Sequence, residues 1–304
     1  MTFPPTRRGF LGSVGLAGVA SVAAPGALAR VEAEPWGIKL GIATYSFRNF
    51  DRAKAIEMVR QTRAPWISVK NTPQQLAPGS TPEQAREARR AYDEAGLKVM
   101  SIGNIDMTRA ANVDELRPLF ELAKNFGAPM MVCAPTHANL NAVEQLVREY
   151  DIRIAIHNHG PEDRHFPSAQ SVLEAVSGLD SRCGLCMDVG HAYRAVRTAR
   201  LRESPAARTG AAVYADDPVK IIAQAGARLL DMHIKDLTDL TNRDSQCDVG
   251  DGEIPIPLIF RELKKVGYQG CVNLEYEIDG DNPLPGVQRS LSYMRGVLAG
   301  LAAA

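Results

Sequence analysis

Four short apolar runs in the C-terminal half each end in side chains that can bind a metal ion or move a proton. They are Ile154-Ala155-Ile156-His157-Asn158-His159, Leu185-Cys186-Met187-Asp188-Val189-Gly190-His191, Leu229-Leu230-Asp231-Met232-His233-Ile234-Lys235-Asp236 and Val272-Asn273-Leu274-Glu275-Tyr276-Glu277. His157 lies 31 residues before Asp188, Asp188 45 before His233, and His233 42 before Glu275. Each interval has room for one strand–helix unit. On a strand, residues two apart share a face, so His157 pairs with His159, His233 with Lys235, and Glu275 with Glu277. If these faces converge, two imidazoles and two carboxylates meet. His157, Asp188, His233 and Glu275 would then suit Mn2+, Fe2+, Co2+ or Zn2+, whereas Mg2+ alone prefers all-oxygen ligands. Singly, each would read as a hydrogen-bonded core group; at four matched strand ends they read as a metal site.

Other residues could complete a pocket. His191, three beyond Asp188, could ligate or hydrogen-bond the substrate or a ligand. Asp236 is expected to orient Lys235. Gly250-Asp251-Gly252-Glu253 reads either as a glycine loop or as a substrate contact through Glu253. Arg48, Lys70, Asn104 and Cys133 end the first four strand-like runs and could form the opposite wall. His137 and His165 read as loop histidines without a role.

The elements that must carry these groups alternate. Strands are expected at Leu40–Phe47, Trp66–Lys70, Lys98–Ile105, Pro129–Ala134, Arg153–His159, Gly184–Val189, Arg228–Lys235 and Cys271–Glu277. Helices are expected at Ala53–Thr62, Pro82–Ala95, Val113–Phe126, Ala142–Tyr150, Ser168–Val176, Pro218–Ala225, Pro257–Val266 and Gly286–Ala299. Caps such as Ser80-Thr81-Pro82-Glu83 start them, and Gly96, Gly127 and Gly267 end them. Eight βα units predict an α/β fold, a single (β/α)8 TIM barrel over residues 38–300, with chemistry at the C-terminal ends of its strands. An open dinucleotide-binding sheet lacks its G-x-G-x-x-G after the first strand. Arg194–Ala215 is expected to be a loop over the mouth, or an interface.

Residues 1–29 read as a twin-arginine export signal. Thr6-Arg7-Arg8-Gly9-Phe10-Leu11 precedes a modest apolar run, and Ala27-Leu28-Ala29 supplies the cleavage site. That run is too short for the roughly 20 residues of a membrane anchor. The expected location is therefore periplasmic or secreted, with the twin-arginine translocase as transient partner and no stable membrane anchor. Removing the signal takes two arginines from 35 basic residues against 35 acidic ones, leaving a net −2. That balance gives no basic face for nucleic acid. The five cysteines mostly sit in apolar runs and read as small core residues. Cys183-Gly184-Leu185-Cys186 falls within a strand, where residues three apart face opposite ways, so redox work is not expected. Oligomerisation is left open.

These motifs resemble the sugar phosphate isomerase/epimerase family of xylose isomerase-like barrels. The matching words are Ile156-His157-Asn158-His159-Gly160, Met187-Asp188-Val189-Gly190-His191, Met232-His233-Ile234-Lys235-Asp236, Val249-Gly250-Asp251-Gly252-Glu253-Ile254 and Asn273-Leu274-Glu275-Tyr276-Glu277. The resemblance runs from about Lys39 to Leu298. It implies one divalent metal held by His157, Asp188, His233 and Glu275, one from each of the last four strands. Family epimerases usually carry glutamate where His157 stands, and that glutamate works with the one on strand eight as an acid/base pair. Here either His157 substitutes, or His159 takes over, or one base suffices.

The function expected is metal-dependent isomerisation or epimerisation of a sugar or keto-sugar through an enediolate. Glu275 would be the base, and His157, His159 or His191 would return the proton. Lys235, Arg48, Lys70, Asn104 and Glu253 would bind the carbohydrate substrate. Two alternatives stand beside it: a metal-dependent lyase or hydrolase of 3-keto-glycosides, and a non-catalytic periplasmic sugar-binding barrel.

Overall fold

The computed structural model describes residues 37–203 and 217–303. The expected signal over 1–29, and residues 204–215 of the expected mouth loop, lie outside them. The apolar runs form parallel strands β1 (Lys39–Ala43), β2 (Trp66–Val69), β3 (Lys98–Asp106), β4 (Met130–Ala134), β5 (Arg153–His157), β6 (Cys183–Asp188) and β7 (Leu229–Ile234). After β7 come a two-residue antiparallel pair, β8 (Asp236–Leu237) and β9 (Gln246–Cys247), and then β10 (Cys271–Leu274). The eight parallel strands close in the order β1-β10-β7-β6-β5-β4-β3-β2. This is the (β/α)8 barrel that the alternation predicts.

Strand parity sorts the side chains between two surfaces. Ile154, Ile156, Leu185, Met187, Met232, Ile234, Val272 and Leu274 join the main core under the helices. Their alternates face the lumen, where Met130, Val132, Ala155 and Cys186 form a small apolar cluster of their own. The same inward parity carries His157, Asp188 and His233, and Asp188 and Asn273 both stand in register with His233.

The helices are α1 (Arg52–Thr62), α2 (Pro82–Glu94), α3 (Val113–Phe126), α4 (Leu140–Tyr150), α5 (Ala169–Val176), α6 (Val189–Glu203), α7 (Pro218–Ala225), α8 (Ile256–Lys265) and α9 (Leu284–Ala303). Their starts follow capping chemistry. Asp51 accepts from the Lys54 amide, and Thr81 and Gln84 form a reciprocal box before α2. Gly127, at φ 74°, turns the chain out of α3.

Several boundaries differ from expectation. β1 stops at Ala43 because Thr44–Phe47 winds into a 3-10 turn. β5 stops at His157 and β10 at Leu274, so His159 and Glu275 lie just past their strands. Arg194–Glu203 is not loop but the continuation of α6. That helix starts directly off β6, with Asp188 Oδ1 accepting from the His191 amide at 2.8 Å, the geometry of an N-cap.

Candidate metal centre

His157 ends β5, Asp188 ends β6, His233 lies one residue before the end of β7, and Glu275 follows β10. One ligand atom from each comes within 4.8 Å of those of the other three. His157 Nε2 is 3.6 Å from Asp188 Oδ2 and 3.9 Å from Glu275 Oε2, and His233 Nδ1 is 3.3 Å from Glu275 Oε2. All four residues are buried. Among the described residues, neither ring nitrogen of His157 or His233 has a hydrogen-bond partner. Buried polar atoms are rarely left so. Pairing them with a divalent cation would satisfy them, and two imidazoles with two carboxylates are the donors such an ion takes. The residues present fit a metal.

The charge balance agrees. Lys235 Nζ lies 3.1 Å from Asp188 Oδ2, 2.9 Å from Glu275 Oε2 and 2.6 Å from Glu277 Oε2. Three carboxylates against one ammonium leave two formal negative charges when the histidines are neutral, the form in which they ligate. Burial alone would raise Asp188 and Glu275. The Lys235 ammonium outweighs it and holds Asp188 below its ordinary range and Glu275 well below. Burial likewise opposes charge on His233, yet Cys186 and Glu275 lift that imidazole well above its ordinary value. An incoming metal must displace that proton.

Residues 53–297 match the family model of the xylose isomerase-like TIM barrel. The chain belongs to the xylose isomerase-like TIM barrel family. Among curated proteins, an uncharacterised protein of Methanocaldococcus jannaschii is 24% identical over 141 residues, 45% of this chain. The chain spans 41% of that relative's length. A solved Sinorhizobium meliloti 1021 protein is 20% identical with a TM-score of 0.67, over 86% of this chain and 98% of its own. The apo form of Escherichia coli 3-keto-D-glucoside 4-epimerase is 15% identical with a TM-score of 0.64, over 85% and 99%. At these identities the likeness to both structures is one of fold.

In this xylose isomerase-like barrel the His/Asp/Glu cluster opens into a cavity of about 410 Å3. Tyr45, Lys70, Asn104, His159, Glu162, Asp163, His191, Arg243 and Glu277 line it with His157 and Glu275. Lys70 Nζ donates to the Asn104 carbonyl at 2.6 Å, and the Asn104 side-chain nitrogen lies 2.8 Å from His159 Nε2. The expected wall residues Lys70 and Asn104 are thus joined to the histidine cluster. His159, past the strand end, still stacks 4.5 Å from the His157 ring centre. His191 opens α6, its ring 5.8 Å from that of His157.

Three expected substrate contacts, Arg48, Glu253 and Lys235, are not among the cavity's lining residues. Arg48 lies over the Tyr45 ring and donates to the Glu277 carbonyl at 2.7 Å. Glu253 is exposed and is not among the cavity's lining residues. Asp236 does not orient Lys235. Adjacent residues face opposite ways, and its carboxylate instead accepts from the amides of Leu237 (2.9 Å), Gly250 (2.9 Å), Gly252 (3.2 Å) and Ile254 (3.1 Å). Gly252 has no room for a Cβ beside that carboxylate. The glycine turn is therefore a clasp. Asp236→Ala strands buried amides and should lower unfolding free energy by about 3 kcal/mol or more, read from urea denaturation of the metal-free protein. Cys133 is buried and all five cysteines are free, and His137 and His165 pack on each other away from the cavity.

Three supporting residues escaped the sequence reading. Asn158 ties the ends of β5 and β6 together, donating to the Asp188 carbonyl at 3.0 Å and accepting from its amide at 2.9 Å. Asn273 donates to Asp231 Oδ1 at 2.8 Å beneath the cluster, and burial pushes Asp231 up to about 6. Parity marks Asp231 and Asn273, each two residues before a ligand. Nothing local marks Asn158.

Burial also pushes His159 down to about 4 and His191 to about 3 from an ordinary 6.5. Between pH 6.5 and about 4 these two rings bind protons in the unfolded chain but not in the folded one, which outweighs the one proton the folded chain takes up on Asp231, so stability falls as pH falls through that window. Urea unfolding of the metal-free protein at pH 7 and 4.5 should show the loss, and His159→Asn should shrink it.

Proposed function

We propose that this protein is a metal-dependent isomerase or epimerase of a sugar or keto-sugar, working through proton abstraction beside a carbonyl. One observation carries the reading: four buried donors, with imidazole nitrogens lacking hydrogen-bond partners among the described residues, converge at the foot of a polar cavity. His157, Asp188, His233 and Glu275 would hold the ion. When bound, it would supply Lewis-acid polarisation and neutralise developing negative charge.

The chain's own groups do the rest. Glu275, held ionised in the metal-free chain chiefly by Lys235, takes the proton. His159 and His191 are neutral at neutral pH, so they offer N–H hydrogen bonds rather than imidazolium acid. Lys70, Asn104 and Glu277 present polar groups to the hydroxyls of a sugar. Strand five supplies His157 where a second carboxylate would stand, so a single base must serve. The same glutamate can return its proton to the neighbouring carbon while the hydroxyl proton passes between the two adjacent oxygens, which is isomerisation, without a partner on the opposite face.

The same missing carboxylate favours a second reading, elimination from a 3-keto-glycoside, since departure of a β-positioned aglycone needs no second base. The fold likeness to a 3-keto-D-glucoside epimerase agrees with a substrate of that class. Incubation with keto-sugars in D2O separates the cases. Deuterium at an α-carbon of an intact skeleton supports the isomerase or epimerase, and release of aglycone supports the lyase. No exchange overturns both and leaves a sugar-binding barrel.

We place the activity outside the cytoplasm on the strength of Arg7-Arg8 and Ala27-Leu28-Ala29. Free sugars and glycosides, rather than phosphorylated metabolites, fit that location. Cell fractionation of the full chain and of an Arg7→Lys, Arg8→Lys variant tests it; periplasmic protein in equal amount from both would contradict it.

A further inference from the structure

Lys235 continues the inward face of β7 beyond His233, and its ammonium ends inside the ligand cluster rather than in solvent. Its side chain is 4% exposed, against 40% for Glu277. The stem crosses the first turn of α6 at Gly190, where a Cβ would stand 2.6 Å from Lys235 Cγ. The chain thus reserves room for this lysine.

The oxygens it approaches are telling. Asp188 Oδ2 and Glu275 Oε2, which face Lys235 at 3.1 and 2.9 Å, are the same atoms that face His157 and His233. An ammonium and a divalent cation repel strongly when they share buried oxygens. Leaving two buried carboxylates without a counter-charge is also costly. Glu277 lies outside the four-ligand set, reaches solvent, and already accepts from Lys235 Nζ at 2.6 Å.

We propose that Lys235 is a resident counter-cation: it neutralises Asp188 and Glu275 until a divalent ion binds, then moves onto Glu277. This rests on the four-residue metal site proposed above. It makes Lys235 a positioning residue that keeps the site folded before loading and sets how tightly metal is held. Glu277 is its landing point.

The test is a double-mutant cycle on the full chain, read by calorimetric titration with Zn2+ and, in parallel, Mn2+, and by melting with and without metal. Lys235→Met should lower the metal-free Tm yet tighten metal binding about tenfold, because the competing charge is gone. Glu277→Gln should weaken binding about tenfold with Lys235 present and change it less than about twofold in the Lys235→Met background. Unchanged or weaker binding in Lys235→Met overturns the proposal, as does an equal Glu277→Gln effect in both backgrounds. Should Lys235→Met not fold, Lys235→Gln completes the cycle. A wild-type chain that binds neither ion sinks the metal site itself, a different failure from a wild type that binds while the lysine variants do not respond.

Discussion

Glu275→Gln should reduce turnover on an accepted sugar by about 10²–10⁴-fold, the range that a positioned general base contributes. The substitution keeps shape and hydrogen-bonding capacity but removes both the base and one charged donor. Lys235 would still hold Asp188 at 3.1 Å and Glu277 at 2.6 Å, so the barrel should fold and the loss should appear in kcat rather than in soluble yield. Exchange of an α-proton with D2O should disappear in parallel. A variant that keeps wild-type turnover would remove Glu275 from the chemistry, whereas a wild type that binds sugar but turns none over would favour the binding-barrel reading.

This prediction could be framed from sequence because parity on strands is a strict rule. His157, Asp188, His233 and Glu275 each close a run whose alternates, such as Ile156, Met187, Ile234 and Leu274, are apolar and core-facing. Closure of eight strands then leaves the lumen as the shared destination. The departures have local causes. Arg194–Glu203 reads as loop because no separate cap precedes it; Asp188, already counted as a ligand, caps α6 through its other oxygen. Glu253 looked available for substrate, but Asp236 claims the surrounding amides, a partnership between residues 14 to 18 positions apart that no motif reveals. Arg48 is expected at the end of its strand, but β1 stops at Ala43 and the 3-10 turn that follows aims Arg48 across Tyr45. Tyr45, Glu162, Asp163 and Arg243 entered the cavity wall from loops and turns, where neither periodicity nor spacing constrains direction.

Asp188→Asn is the second large effect expected. Asparagine caps helices as well as aspartate does, so the His191 amide keeps its acceptor and α6 its start. The charge on Oδ2 is lost. Changes to groups that merely support metal ligands cost about 10–100-fold in affinity, and loss of a ligand's charge should exceed that range. Divalent-metal titration should show binding weakened by more than about 100-fold, with a lower metal-free unfolding midpoint because one partner of the buried Lys235 ion pair is lost. Retained affinity would mean that Asp188 serves the helix alone.

The most direct measurement is elemental analysis of the purified full-length protein after loading with a divalent ion and gel filtration. A site built from His157, Asp188, His233 and Glu275 should retain close to one equivalent, and the His157→Ala, His233→Ala variant should retain almost none. Retention below about a tenth of an equivalent by the wild type, or equal retention by both proteins, would contradict the account.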